Sequence, residues 1–315
     1  MSRSRHLVDP ELLPLLDSMP KRTVSAETLA TMRASAISFP VDPGDLAATD
    51  MNTRKVPGPQ GAPDVPVLIY RPKDASDPLP CIFHIHGGGY VSGSAEALEA
   101  GHRRLTNKLG CCIISVNYRL APETTFPGPV EDCYAALAWV FANAAELGVD
   151  TARIGVMGES AGGGLAAALA LLVRDRGEYR FAFQHLIYPM IDDRTCVTPD
   201  PHPYVGEFVW TPEANVFGWT SLLGHAPGGE GVSPYAAAAR AESLSGLPPT
   251  FLATGALDLF LDENLDYASR LVRAGVPVEM HVYPGAFHAF QWSPGARVSR
   301  DAARDSREAL ARALA

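Results

Sequence analysis

The stretch Ile154 to Gly164, IGVMGESAGGG, constrains this chain more than any other, because an apolar run ends in Gly-x-Ser-x-Gly and continues directly into an alanine-rich helical pattern. Ser160 then falls on the turn between a strand and a helix. A turn this tight has no room for side chains beside the serine, so Gly158 and Gly162 let the backbones pass. The Oγ stands exposed with the new helix pointing its N-terminus at it. That is the geometry of a nucleophile. A dinucleotide or phosphate loop is the competing reading of so many glycines. It fails because no Lys-Ser/Thr follows and the G-x-G-x-x-G spacing is absent.

Upstream, Cys81-Ile82-Phe83-His84-Ile85-His86-Gly87-Gly88-Gly89-Tyr90 is a second strand-like run, and it ends in His-Gly-Gly-Gly. Three consecutive glycines contribute nothing to packing. They offer bare backbone N–H groups that can approach a developing oxyanion, with the N–H of Ala161 as the other half of an acyl-transfer site.

A serine needs a base to take its proton, and the base needs a carboxylate to fix its tautomer. Of the nine histidines, only His281 and His288 lie beyond Gly231. His281 sits inside the strand-like Val278 to Val282 and reads as a side chain satisfied on a sheet. His288 falls in the turn-rich loop after it, where open α/β sheets carry their chemistry. The acid should also follow a strand. Pro249 to Gly255 is one, and Asp258 is the first carboxylate after it. Asp262 is the second candidate, although Asp262 and Glu263 open the helical pattern Asn264 to Ala274, where the helix dipole alone favours acidic residues.

With 315 residues and 47% hydrophobic content, the chain can bury one large α/β core and a smaller accessory layer. A net charge of −9 gives no electrostatic footprint for nucleic acid and no basic run for an anionic membrane. The longest apolar runs, such as Leu165 to Val173, are too short to span a bilayer, and Asp9, Pro10 and Pro14 interrupt any signal-peptide core. The cysteines, Cys81, Cys111, Cys112, Cys133 and Cys196, are odd in number and are spaced neither as metal ligands nor as a redox pair. Reduced, mostly buried thiols and a cytoplasmic location are therefore expected. No cofactor motif and no metal-ligand set such as H-E-x-x-H is visible.

Strand-like stretches at Pro66–Tyr70, Cys81–Ile85, Cys112–Asn117, Arg153–Met157, Phe183–Ile187, Thr250–Thr254 and Val278–Val282 alternate with helical patterns near Ala97–Leu109, Val130–Ala145, Gly162–Arg174 and Asn264–Ala274. This alternation predicts a mostly parallel central sheet with helices on both faces. Two regions break it. One is Val8–Met51, with helix-like pieces at Glu11–Met19 and Ala26–Ser38. The other is the Pro/Trp-rich insert from Met190 to Tyr235. Neither is expected to continue the sheet, and the two are expected to pack together as a lid over the strand ends. Residues 1–50 would then form the N-terminal part of a helical cap and 190–235 its insertion, leaving 51–189 and 236–315 as the catalytic core. Phe208, Val209, Trp210, Phe217, Trp219, Leu222 and Leu223 would supply either a pocket wall or the core of the lid itself. Asp192 and Asp193 read as a solvated turn.

Taken with Tyr118-Arg119-Leu120-Ala121-Pro122-Glu123, Phe126-Pro127, Val130-Glu131-Asp132 and Asp258 to Glu263, these motifs resemble the hormone-sensitive-lipase-like, His-Gly-Gly-Gly esterase family of the α/β-hydrolases over almost the whole chain. The resemblance implies the α/β-hydrolase fold and a triad of Ser160, Asp258 and His288. It also implies oxyanion donors at Gly88, Gly89 and Ala161, with His86 positioning the loop. The activity implied is hydrolysis of short- to medium-chain acyl or aryl esters through an acyl-enzyme, on a small-molecule ester substrate. An arylformamidase or amide hydrolase using the same triad and a non-catalytic ligand-binding relative are the alternatives. The chain departs from the family pattern at Glu159, where Asp is common, and at Ala289, where Gly is common. Glu159 is read as structural. Uncovered sheet edges would suit a homodimer, although no residue pattern specifies one.

Overall fold

The apolar runs that read as strands are strands, and one further strand joins them. The computed structural model describes residues 2–19, 23–35, 38–76 and 78–315. Among these, one sheet contains β1 (Thr49–Val56), β2 (Val65–Pro72), β3 (Leu79–Ile85), β4 (Cys112–Val116), β5 (Val149–Glu159), β6 (Gln184–Ile187), β7 (Thr250–Gly255) and β8 (Val278–Tyr283). Their order across the sheet is β1-β2-β4-β3-β5-β6-β7-β8. The pairs β1/β2 and β2/β4 are antiparallel, and every later pair is parallel.

The helices are α1 (Leu13–Ser18), α2 (Leu29–Ala34), α3 (Pro43–Ala48), α4 (Glu99–Leu109), α5 (Gly128–Ala142), α6 (Ala144–Leu147), α7 (Ala161–Arg176), α8 (Pro212–Leu223), α9 (Leu261–Arg273) and α10 (Arg297–Leu314). Alternate residues of each strand face opposite layers. Phe83, Ile85, Ile114 and Val116 join α5, α7 and α9 in one core, whereas Ile82, Ile113 and Met157 meet Leu310 and Leu314 of α10 in another. Covered on both faces, β3 is buried at every position, so its sequence reads as an apolar run interrupted only by His84.

Two elements of the layered core, one strand and one helix, escape the sequence pattern. β1 includes Thr49, Asp50 and Met51, from the region expected to lie outside the sheet. Its polar sequence TDMNTRKV is exposed through the middle and buried at its two ends, as an edge strand allows. Only its antiparallel register with β2 makes it a strand. α10 is charged overall, and its buried Val298, Ala302, Ala309, Leu310 and Leu314 recur at helical spacing between arginines.

Residues near the start of the chain touch the 190–235 insert, where the Glu207 carboxylate accepts hydrogen bonds from the backbone N–H groups of Arg3 and Ser4. Arg33 of α2 also donates to the backbone oxygens of Val91 and Ala121. The lid helix predicted over Ala26–Ser38 extends onto Ala36 and Ile37, which lie outside the described residues.

The reading of Asp193 as a solvated turn is corrected. Its carboxylate is fully buried, pairs with Arg240 at 2.7 and 2.8 Å and accepts the Gly228 N–H at 2.7 Å. The pair ties the start of the insert to the chain that leaves it. Asp192 pairs instead with Arg194 at 2.7 Å. Glu263 is more than a helix-dipole residue. It is buried and accepts the N–H groups of Ile191 and Asp192 at 2.7 and 3.2 Å, together with the Thr195 hydroxyl. Burial pushes its carboxyl well above the usual range, against the pull of those donors.

Candidate active site

Four loops converge at the C-terminal ends of β3, β5, β7 and β8. At the end of β5 the chain turns through Ser160 with φ 56° and ψ −124°, and α7 begins at the next residue. Neighbouring backbone leaves no alternative to glycine at this turn. A Cβ on Gly158 would stand 2.3 Å from Gly162 O, and one on Gly162 would stand 2.1 Å from Ile85 O. The Ser160 N–H donates to Ile187 O at 2.9 Å, while its carbonyl accepts from Gly164 and Met190.

The loop after β8 brings His288 over the serine. His288 Nε2 lies 3.0 Å from Ser160 Oγ, and Nδ1 lies 2.9 Å from Asp258 Oδ2. If Nδ1 carries the proton it donates to the carboxylate, and Nε2 is then free to accept the serine hydroxyl. Asp258, in the loop after β7, is fully buried, and its other oxygen accepts the Phe260 N–H at 3.0 Å. The predicted nucleophile, base and acid are thus brought into one hydrogen-bonded chain. Asp262 is not part of it and lies exposed in the first turn of α9. His281 stays on β8, bonded to Glu279 at 2.9 Å.

Gly88 and Gly89 take φ of 122° and 64°, a region open to glycine at little cost. The Gly88 carbonyl accepts from Val91 N, Ser92 N and Ser92 Oγ, which folds the loop back on itself. The N–H groups of Gly88, Gly89 and Ala161 donate no hydrogen bond among the described residues. His86 is buried, stacks on Tyr118 at 4.4 Å and lies with Nδ1 2.8 Å from Gly87 O. Burial depresses it to about 4, so near neutral pH it is an uncharged ring that bonds the loop.

The α/β-hydrolase fold model matches residues 82–292. Over 289 residues the chain is 35% identical to a carboxylesterase, NlhH, of Mycobacterium tuberculosis, covering 90% of this chain and 88% of that protein. It is also 35% identical over 238 residues to an arylesterase of Saccharolobus solfataricus, covering 75% of this chain and 76% of that one. Among solved structures, a bacterial heroin esterase superposes with a TM-score of 0.90 at 39% identity, covering 98% of this chain and 99% of that one. The chain belongs to the hormone-sensitive-lipase-like family of α/β-hydrolases.

In this hydrolase several side chains around the site carry no sequence signal. Tyr188 has φ 34° and lies against the His288 ring at 4.6 Å, and Phe260 meets the same ring edge-on at 5.3 Å. Glu159, read as structural, binds His84 Nε2 through both carboxylate oxygens at 3.0 Å, and His84 Nδ1 lies 3.1 Å from Ser115 Oγ. His84 is hidden in an apolar strand run, and only the parallel pairing of β3 with β4 and β5 places it between Ser115 and Glu159. Ala289, where the family resemblance leads one to expect Gly, takes φ 61°, a left-handed conformation that glycine adopts at little cost. The seven apolar residues of the insert form no separate core of their own: Trp210, Trp219 and Leu222 join the main core with Leu223 packed against it, Phe208 and Val209 join the cluster that holds Phe287, and Phe217 packs on Leu29, Val91 and Ala121. Trp210 also lies on Gly89, and Phe208 faces Phe287. No helix among the described residues is long and apolar enough to cross a membrane.

Proposed function

We propose that this hydrolase is a serine carboxylesterase that cleaves short- to medium-chain acyl or aryl esters through an acyl-enzyme on Ser160. The observation that carries the proposal is the unbroken chain from Asp258 through His288 to Ser160, with links of 2.9 and 3.0 Å. Ser160 Oγ attacks the ester carbonyl as its proton passes to His288 Nε2, and the Asp258 carboxylate stabilises the imidazolium. Charge developing on the carbonyl oxygen is met by the N–H groups of Gly88, Gly89 and Ala161, which are fixed before the reaction and need no reorganisation. His288 then gives its proton to the departing alcohol. Water enters and loses a proton to His288 as its oxygen bonds to the acyl carbon; the bond to Ser160 Oγ then breaks, that proton returns to Oγ, and the acid leaves.

Ester substrates are supported by the names of the carboxylesterase, arylesterase and heroin esterase relatives. Small size is supported by the surroundings of the nucleophile. Ser160 is 7% exposed, His288 is 5% exposed, and the insert lays Trp210 on the glycine loop. In this reading, residues 1–50 and 190–235 act as a cap. A cytoplasmic location is consistent with five free thiols. The decisive test pairs covalent labelling with a substrate series. A phosphonate is expected to modify Ser160 in wild type and to leave Ser160→Ala unmodified, with esterase activity lost in that variant. Rates on p-nitrophenyl esters are expected to fall steeply beyond about eight acyl carbons, because a buried nucleophile beneath the insert discriminates acyl groups by fit. Retained activity in Ser160→Ala would refute the mechanism, and a preference for long chains would refute the substrate class.

A further inference from the structure

Between Gly206 and Trp210 the insert touches three of the site loops in turn. The Gly206 N–H donates to Leu257 O, beside Asp258, at 3.2 Å. Phe208 meets Phe287, beside His288, with ring centroids 5.8 Å apart. Trp210 rests so closely on Gly89 that a Cβ there would stand 2.1 Å from its ring. The strap is strained. Val209 has φ 64°, and the Trp210 N–H donates to Phe208 O at 2.8 Å, closing a three-residue turn through a β-branched residue in the left-handed region. Such a conformation persists only where its surroundings over-determine it.

The restraint from outside comes through Glu207. Its carboxylate accepts from Ser2 Oγ at 2.9 Å, Arg3 N at 2.7 Å, Ser4 N at 2.6 Å and also Ser4 Oγ. Ser4 is fully buried. Partial burial would raise the Glu207 carboxyl, but the donors of Ser4, Arg3 and Ser2 outweigh it and hold the group down at about 2. The clamp therefore stays ionised wherever the esterase would be assayed.

We propose that Glu207 is a positioning residue for the acyl-transfer site. By gripping Ser2 to Ser4 it keeps the Gly206–Trp210 strap seated on Gly89, and so keeps the oxyanion donors in register with Ser160. Glu207 touches no reacting atom. The proposal rests on the reading of Gly88, Gly89 and Ala161 as those donors. Donors of this kind act on the transition state more than on bound substrate, so loosening the strap lowers kcat and kcat/KM together.

The test is steady-state kinetics of Glu207→Ala, Glu207→Gln and Ser4→Ala on p-nitrophenyl acetate at 25 °C, with Tm recorded for each. Glu207→Ala is expected to lose about tenfold in kcat, a fraction of what losing a whole donor costs, with KM within about twofold. Glu207→Gln keeps one acceptor oxygen and is expected to recover part of the loss. Should Glu207→Ala fail to fold, Ser4→Ala removes a single hydroxyl and is expected to lower kcat in the same pattern by a smaller factor. A lowered Tm with wild-type kcat, or a change confined to KM, overturns the proposal. Ser160→Ala and phosphonate labelling of Ser160 are run alongside. If wild type is labelled and Ser160→Ala is inactive while the Glu207 and Ser4 variants keep full kcat, the clamp is refuted and the esterase mechanism stands.

Discussion

His288 is held on one side by a carboxylate and on the other by the hydroxyl it would deprotonate, and rings of Tyr188 and Phe260 confine it. Asp258→Asn keeps the size of the side chain and its acceptor for the Phe260 N–H, but no longer favours the tautomer with a proton on Nδ1. The expected outcome is a fall in kcat of about 10³- to 10⁴-fold with an unfolding midpoint close to wild type. Stopped-flow or steady-state ester hydrolysis beside a thermal melt checks it. Ser160, Asp258 and His288 were legible because each sits just past a strand, where turn chemistry is written in neighbouring residues. His84 was not, since its partners Ser115 and Glu159 lie on separate strands and nothing beside it in sequence announces them.

At the scale of elements, the approach of α7 to the ends of β3 and β5 rests on glycine, because a Cβ at Gly162 meets backbone of Ile85 and His86 within 2.1 to 2.6 Å. The same local logic explains why the strand–turn–helix unit could be read at once. The insert is anchored by a longer-range device, the buried Asp193–Arg240 pair. Asp193→Ala leaves the guanidinium, 16% exposed, without its counter-ion, and is expected to cost about 3 kcal/mol in urea unfolding. A change below about 0.5 kcal/mol would show the pair to be dispensable to the anchor, as exposed ion pairs commonly are. β1 and α10 were missed for opposite reasons. β1 has too little apolar character to announce a strand, and α10 hides a narrow apolar stripe among charges.

Across the whole molecule, burial sets the response to acid. It depresses His86 to about 4 and His185 to about 3, and holds His102 well below its ordinary value. Unfolding returns each to its ordinary value of 6.5, so below that pH the unfolded chain binds more protons than the native one. The stability from keeping these rings neutral is complete above about pH 6.5 and is lost as pH falls toward the folded values. Glu263 works in the opposite sense, because its raised carboxyl lets the native state hold a proton at higher pH. With three histidines against one carboxyl, Tm is expected to fall between pH 7 and pH 5. His185, stacked on Phe251 at 4.2 Å, offers a clean test. His185→Phe is expected to flatten the acid slope of unfolding free energy by up to about 1.4 kcal/mol per pH unit, measured by denaturant titration at several pH values.

The sequence by itself determined the parallel α/β core, the elbow that presents Ser160, and the strand-end positions of Asp258, His288 and the glycine loop. These follow from periodicity, glycine and turn chemistry, which act over a few neighbouring residues. The tertiary structure alone decided that a polar segment would be the edge strand β1, that Glu159 would bind His84, that Asp193 would be buried against Arg240, and that Glu207 would grip residues near the N-terminus. Each of these joins groups far apart in the chain. Their energy comes from burial and pairing that exist only once the sheet has brought them together.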